Sequence, residues 1–275
     1  MTRAPALSRR PRLRLEPYVE FAKRAMAREA TYRFDVFTSI GSFLIRVYLL
    51  RMVWTALYAR NAAPRDLPLH AIVSYSTVAL LMGLIMDIDQ TRALHDKLHE
   101  GSIATDFLKP IVVPLYFFAD GTGEVLFHAL LMIPSLLLAL LFVHIDVPSI
   151  GVLATFALSF LLGYFVGFFI NFILNCTAFW TLEISAVQLI VTWLTDLLGG
   201  EIVPLVLFPA FLQNVVFALP FAAMFSTPLL IYVGVISPAH YAVSLGFQAM
   251  WVVILGGISA ALWRAGARRV VVQGG

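Results

Sequence analysis

The sequence predicts an all-α polytopic membrane protein with six transmembrane helices. Its 275 residues are 60% hydrophobic and only 13% charged, whereas soluble domains carry about 25% charged residues. Several runs near 20 residues long hold no charge, enough for a helix to cross a ~30 Å hydrocarbon core. A β-barrel would show short alternating segments instead. The basic residues are also lopsided. Nine of the 19 Lys and Arg lie in residues 1–33, and none lies between Pro110 and Trp263. Such an asymmetry sets topology, so the net charge of +3 implies no nucleic-acid partner.

Residues 1–16 read as a basic cytosolic tail. The first apolar segment is too long for a signal-peptide core and lacks a small-residue cleavage site, so it is expected to remain. Residues 17–34, "PYVEFAKRAMAREATYRF", read as an amphipathic interface helix. Pro17 suits a first helical position. Tyr18, Phe21, Ala22, Ala25, Met26 and Tyr32 share one face, and Lys23, Arg24 and Arg28 lie opposite. Such a helix lies flat on anionic membrane lipids or simply extends the next helix.

The predicted spans are 36–58, 69–86, 120–143, 149–173, 178–198 and 239–263, in a single transmembrane domain over 35–275. The first ends in "VWTALY", an aromatic interface anchor. A loop over 87–112 separates the second and third. "DIDQTRALHDKLHE" has no breaker before Gly101, so a helix can project from the membrane here. His95, Lys97 and His99 would suit its C-terminal dipole, and Gly101 the position just past its end. After Gly101, Ser102 can cap a short helix, with Ile103 and Phe107 on one face, Asp106 and Lys109 flanking it, and Pro110 stopping it. In the fourth span Gly163 and Gly167 form a small-residue packing face. Residues 199–237 form an outer hairpin. Pro204, Pro209, Pro220 and Pro228 cut them into pieces too short to cross, which favours a re-entrant or interfacial helix pair before the last span. Arg264, Arg268 and Arg269 follow that span. Six spans place both termini in the cytosol, and so would eight.

No catalytic constellation is present. The chain has no G-x-x-x-x-G-K-[ST] loop for ATP, no H-E-x-x-H and no G-x-S-x-G. Asp87 and Asp89 read as a solvated helix end rather than half of a metal pair. Cys176 is the only cysteine, which rules out an intrachain disulfide and a thiolate metal cluster. No metal site and no cofactor in this chain are expected. The charges within spans are few. Arg46 sits near the middle of the first span with Arg51 beyond it. A central Arg costs roughly 2.5–3.5 kcal/mol on insertion scales, so it faces a partner or a wet cavity. Glu183 and Asp196 are candidate counter-charges. The arrangement is either a translocation path or subunit interface, or a structural ion pair with Arg51 snorkelling outward. Asp120 and Glu124 share a helical face and are expected to be interfacial and solvated.

Three pieces carry a resemblance: "GSIATDFLKPI" at 101–111, "GGEIVPLVLFPAFLQNVVFALPF" at 199–221, and the amphipathic helix before a span ending in Trp and Tyr. The chain resembles the membrane-spanning permease subunits of type-2 ABC exporters, closest to a bacterial branch with mostly unassigned substrates. The resemblance implies a multi-pass permease of the bacterial cytoplasmic membrane. It would pair with a second permease chain, identical or related, and with a cytosolic ABC ATPase dimer that holds the ATP and magnesium. Ser102, Ile103, Asp106, Phe107 and Lys109 would form the coupling element seated in the ATPase, with Ile103 and Phe107 as anchors. Arg46, Arg51 and Glu183 would line the path or interface, and the hairpin with Pro204, Pro209 and Pro220 would cap it. One departure stands out: the family segment often has Arg where Lys109 stands, and a Lys ammonium does not make the bidentate contact of a guanidinium. Two other functions are an ion-coupled secondary transporter, for which Glu183 alone is thin support, and a membrane-embedded transferase, which lacks its clustered acidic or His motif.

Overall fold

The computed structural model describes residues 15–31, 33–60, 67–86, 91–181 and 183–273. The basic tail before Leu15, Asp87 and Asp89 lie outside them. The described residues hold α-helices and short 3-10 turns and no strand.

Helix α1 (Glu16–Glu29) starts with Pro17 in its first turn. It does not stand alone on a surface, because it packs along the first half of α6 (Val113–Ala139). Tyr18 is buried, and its hydroxyl accepts the Val112 N–H at 2.8 Å. Phe21 meets Tyr116 edge-on at 4.8 Å. Arg28 pairs with Asp120 at 3.3 Å and also with Glu124. These two acids, expected to be solvated, are therefore the counter-charges that dock α1.

Helix α2 (Arg33–Ala59) carries the first expected span, and α3 (Leu69–Met86) the second. Helix α3 is apolar all round, the pattern of a helix enclosed on every side. Ile72, Tyr75, Ala79 and Met82 are fully buried along it. Its few polar groups are satisfied within the protein: Ser76 Oγ accepts the Trp54 indole N–H at 2.9 Å, and the Tyr75 hydroxyl donates to the Gly200 carbonyl at 2.7 Å. Two short helices follow, α4 (Arg92–His99) and α5 (Ile103–Phe107). Helix α6 starts seven residues before the predicted third span, since Val113 and Phe117 join the core beneath α5. Helix α7 (Ile150–Cys176) runs on into a 3-10 turn at Thr177–Phe179.

Where a fifth span over 178–198 is predicted, the chain breaks after this turn. It resumes as α8 (Ser185–Gly199), only 15 residues long. At 1.5 Å per residue that is about 22 Å, short of a ~30 Å core. Among the described residues, five helices rather than six are long and apolar enough to cross. The segment averages as apolar, and hydropathy does not register the break. Three short helices come next: α9 (Ala210–Ala218), α10 (Pro220–Met224) and α11 (Ser226–Tyr232). The prolines open these pieces. Pro204 precedes the 3-10 turn Leu205–Leu207, Pro209 precedes α9, and Pro220 is the first residue of α10, places where a missing N–H costs nothing. Helix α12 (Tyr241–Gln273) is the last element and runs ten residues past the end of the predicted span.

The α10–α11 joint lies against the middle of α7. A Cβ on Gly163 would sit 2.6 Å from the Met224 carbonyl oxygen, so only glycine permits this approach. Buried Gln248 of α12 completes the fastening. Its amide donates to the Ala223 carbonyl at 2.7 Å and the Ser159 carbonyl at 3.0 Å, and its own oxygen accepts the Ser159 hydroxyl at 2.8 Å.

Gly163→Val should therefore cost about 1–3 kcal/mol through overpacking and lower the thermal unfolding midpoint in detergent. Gly257→Ala, at a position with nothing within 4 Å of the added carbon, should leave it unchanged.

Candidate functional site

Two regions bear on function. The first is the loop built from α4 and α5. Gly101, at φ +73°, turns the chain after α4, in the left-handed region that favours glycine. Ser102 takes the position before α5, but its side chain makes no capping bond; its hydroxyl lies 3.5 Å from the Glu100 carboxylate. Ile103 is only 2% exposed. It packs in a cluster with Leu94, Phe117, Phe168, Phe172 and Cys176, so the position expected to face outward faces the core. Phe107 is half-buried, its ring 5.9 Å from that of Trp263.

Asp106 is 1% exposed and held between Lys97 at 2.5 Å and Lys109 at 2.6 Å. Burial pushes its carboxyl up, but hydrogen bonds from Lys109 and Lys97 outweigh that and hold it below the usual range. A buried carboxylate with two partners is the arrangement in which breaking the pair costs most. The loop is thus a fixed element pinned to α6, α7 and α12. Its outward surface consists of Ala104, Thr105, Leu108, Lys109 and Pro110. Leu108, 87% exposed, is the large apolar side chain among them. Amphipathic spacing identified the two faces of α5, but which one turned inward depended on α7 and α12, far away in sequence.

The second region follows α2. A cavity of about 230 Å³ is lined by Ser39, Ser42, Arg46 and His128. Arg46 and Leu80 are shared with a second, of about 500 Å³, which also holds Asp196 and Glu201. Leu50 and Ile202 are shared in turn with a third, of about 840 Å³, walled by Val53, Trp54 and Leu57. The α2 positions that line them recur every three or four residues from Ser39 to Leu57, so they form one helical face. Those 18 steps span about 27 Å, close to a ~30 Å hydrocarbon core.

Of the residues expected here, Arg46 lines two of the cavities. Arg51 does not line the row: its guanidinium donates to the Phe142 carbonyl beyond α6. Glu183 is exposed at the start of α8, where it accepts the Ser185 N–H at 2.8 Å. Hydrogen bonding from Ser185, through its side chain and then its N–H, holds the carboxyl below the usual range. It is not a partner for Arg46. Asp196 lies close enough to feel the Arg46 charge, and Glu201, 6% exposed, sits on the same wall. Glu201 follows the apolar α8 as a lone acid in "LLGGEIVP"; that isolation is the signal by which the sequence marks it. No cluster of metal-ligating side chains occurs among the described residues.

No curated protein and no solved structure matches the chain. The family model for the ABC-2 family transporter protein matches residues 36–274, from inside α2 to the residue after α12. With that match running over nearly the whole chain, the protein belongs to the ABC-2 transporter family, whose members are membrane permeases of type-2 ABC transporters.

Proposed function

We propose that this chain is the membrane half of an ATP-driven exporter in the bacterial cytoplasmic membrane, with α2 lining its translocation path. The row of cavities along one face of α2 carries this reading, because it follows the helix for about the thickness of the hydrocarbon core. A permease supplies a path and a lever. ATP and magnesium belong to separate ATPase subunits, whose closure would move the α4–α5 loop and with it the helices it grips.

The exposed faces of α2 and α8 support a second permease chain as the other wall. Phe37, Ile45 and Leu49 on α2 and Leu189, Ile190 and Trp193 on α8 all stand uncovered. Lys97, Lys109, Arg264, Arg268 and Arg269 gather with α1 at one end of the bundle, which supports reading that end as the cytosolic one by the positive-inside rule. The hairpin α9–α11 then enters from the outer side. Backbone that does not span is tolerated at that depth where protein covers it, and α7 and α12 cover it here.

In the α4–α5 loop the docking contact passes from Ile103 and Phe107 to Leu108, with Lys109 beside it. Ile103 and Phe107 instead transmit the push, since they rest on α7 and Trp263. An ion-coupled carrier is the second reading, favoured by the two carboxylates beside Arg46. It would make transport follow the proton gradient and ignore ATP.

Leu108→Asp should reduce co-purification of the cognate ATPase from membranes by about tenfold or more, the scale of losing an interface anchor, with an unchanged unfolding midpoint. Ile103→Asp should lower the midpoint itself, because it buries an unpaired charge. Unaltered capture in Leu108→Asp would remove this loop from the interface. A thiol in Leu108→Cys, placed in a Cys176→Ser background, should react with a membrane-impermeant maleimide only from the cytosolic side. Labelling from outside intact cells would invert the topology.

A further inference from the structure

A further cavity, of about 270 Å³, lies in a groove between α7 and α12, near the start of α6, and no residue of α2 lines it. Helix α12 supplies Gly256, Ser259, Ala260, Trp263 and Arg264, spaced by three and four residues and so on one helical face. Opposite them stand the rings of Phe168, Phe169 and Phe172 on α7. The eight steps from Gly256 to Arg264 span about 12 Å, close to the depth of one leaflet of a ~30 Å core. One end of the groove is cationic. Arg264 is exposed, and exposed Arg268 follows one turn later on the same face. Neither forms an ion pair among the described residues. Ser259 on the groove wall is 3% exposed, and its hydroxyl has no hydrogen-bond partner among the described residues. A buried hydroxyl is costly unless it is bonded, so this one calls for a partner from outside the chain.

We propose that this groove binds an anionic phospholipid, with the phosphate at Arg264 and Arg268 and one acyl chain along the aromatic rings. The order of groups along the groove matches the order of groups in such a lipid. A guanidinium suits the forked hydrogen bonding of a phosphate, and basic pockets between helices at a membrane surface recognise anionic headgroups. The ester carbonyls of a phospholipid sit just inside its phosphate. Ser259 lies five residues inside Arg264, about 7.5 Å along the helix, where its hydroxyl can donate to such a carbonyl. Farther in, the walls are phenyl rings and Gly256. A Cβ on Gly256 would stand 3.3 Å from the Phe169 ring, so the glycine keeps the inner end open for a chain. A soluble phosphate has no use for these apolar walls, and a neutral lipid leaves the guanidinium pair without a counter-charge. Trp263 suits the interfacial depth. Its ring also stands 5.9 Å from that of Phe107, so the bound lipid lies one ring away from α5. The inference does not depend on α2 lining a path.

Competition between dioleoyl phosphatidylglycerol and dioleoyl phosphatidylcholine tests this, because the two share chains and esters and differ in net charge. The purified full-length permease is released from nanodiscs holding equal amounts of both, and the retained lipids are counted by native mass spectrometry. The wild type should retain one phosphatidylglycerol in preference to phosphatidylcholine. Arg264→Gln should cut that preference roughly fivefold, the scale of one basic residue at an anionic surface. Ala260→Phe, at an exposed position on the groove wall, should abolish retention of either lipid. Val253→Phe, exposed on α12 but outside the groove, should leave it unchanged. Unfolding midpoints equal to wild type, expected at these exposed positions, show that all three variants fold. Equal retention of the two lipids by the wild type, a preference that survives Arg264→Gln, or retention that survives Ala260→Phe would each overturn the assignment. So would displacement of the lipid by glycerol 3-phosphate, which would make the ligand a soluble phosphate. A lipid-free permease dimer that Ala260→Phe dissociates would overturn it too, with a second copy as the occupant.

Discussion

The contact between Gly163 and the Met224 carbonyl, sealed by Gln248, is the interaction on which the rest of the architecture depends. Helices α9, α10 and α11 are too short to cross a bilayer. Their ends expose backbone groups that lipid cannot satisfy. Packed against the middle of α7 and hydrogen-bonded to α12, the α10–α11 joint becomes part of the interior. Ala222, Ala223, Met224 and Phe225 are all buried there. Replace the hydrogen atom at position 163 with any side chain and this joint must move away from α7.

That packing also determines where open space lies. The joint and α11 press against α7 and α3, and α3 becomes the enclosed centre of the bundle. The loop from Gly200 to Leu207 is drawn in with them, tied by Tyr75 to the Gly200 carbonyl and by Gln213 to the carbonyls of Val206 and Phe208. Helix α2 leans on α3 through Phe43, Val47 and Trp54 and leaves a seam between itself and this loop. The cavities occupy the seam. At the opposite end, the Lys97–Asp106–Lys109 cluster holds the α4–α5 loop in place beside α6 and α7.

Much of this was legible in the sequence. Apolar runs marked the helices, prolines marked where short pieces begin, and Gly101 marked the turn into α5. What the residues could not reveal was which side of a local element would be covered. Ile103 and Phe107 share a face of α5, but the aromatic surface that covers them comes from residues near 170 and 263. Glu183 looked like an intramembrane charge because the apolar stretch around it is continuous in hydropathy. The helix starts two residues later, and the acid sits at its entrance. Glu201 went unassigned because its significance arises from Arg46 and Asp196, brought to it by the packing of α2 and α8. Spacing puts Asp120 and Glu124 on one helical face, but they are docked on Arg28 rather than solvated, and Arg28 comes from a helix that composition alone places on a lipid surface.

The central claim is that one face of α2 lines a water-accessible path. Single cysteines along α2, in a Cys176→Ser background, test it through reaction with a small, membrane-impermeant thiosulfonate in the assembled transporter during ATP turnover. Thiol reagents of this kind need a thiolate, hence water. The account predicts reaction at Ser42, Arg46, Leu49 and Val53, which line the cavities, and protection at Ile45, Tyr48 and Met52, which are exposed but line none of them. Uniform protection along α2, or reaction only at the second set, would contradict it.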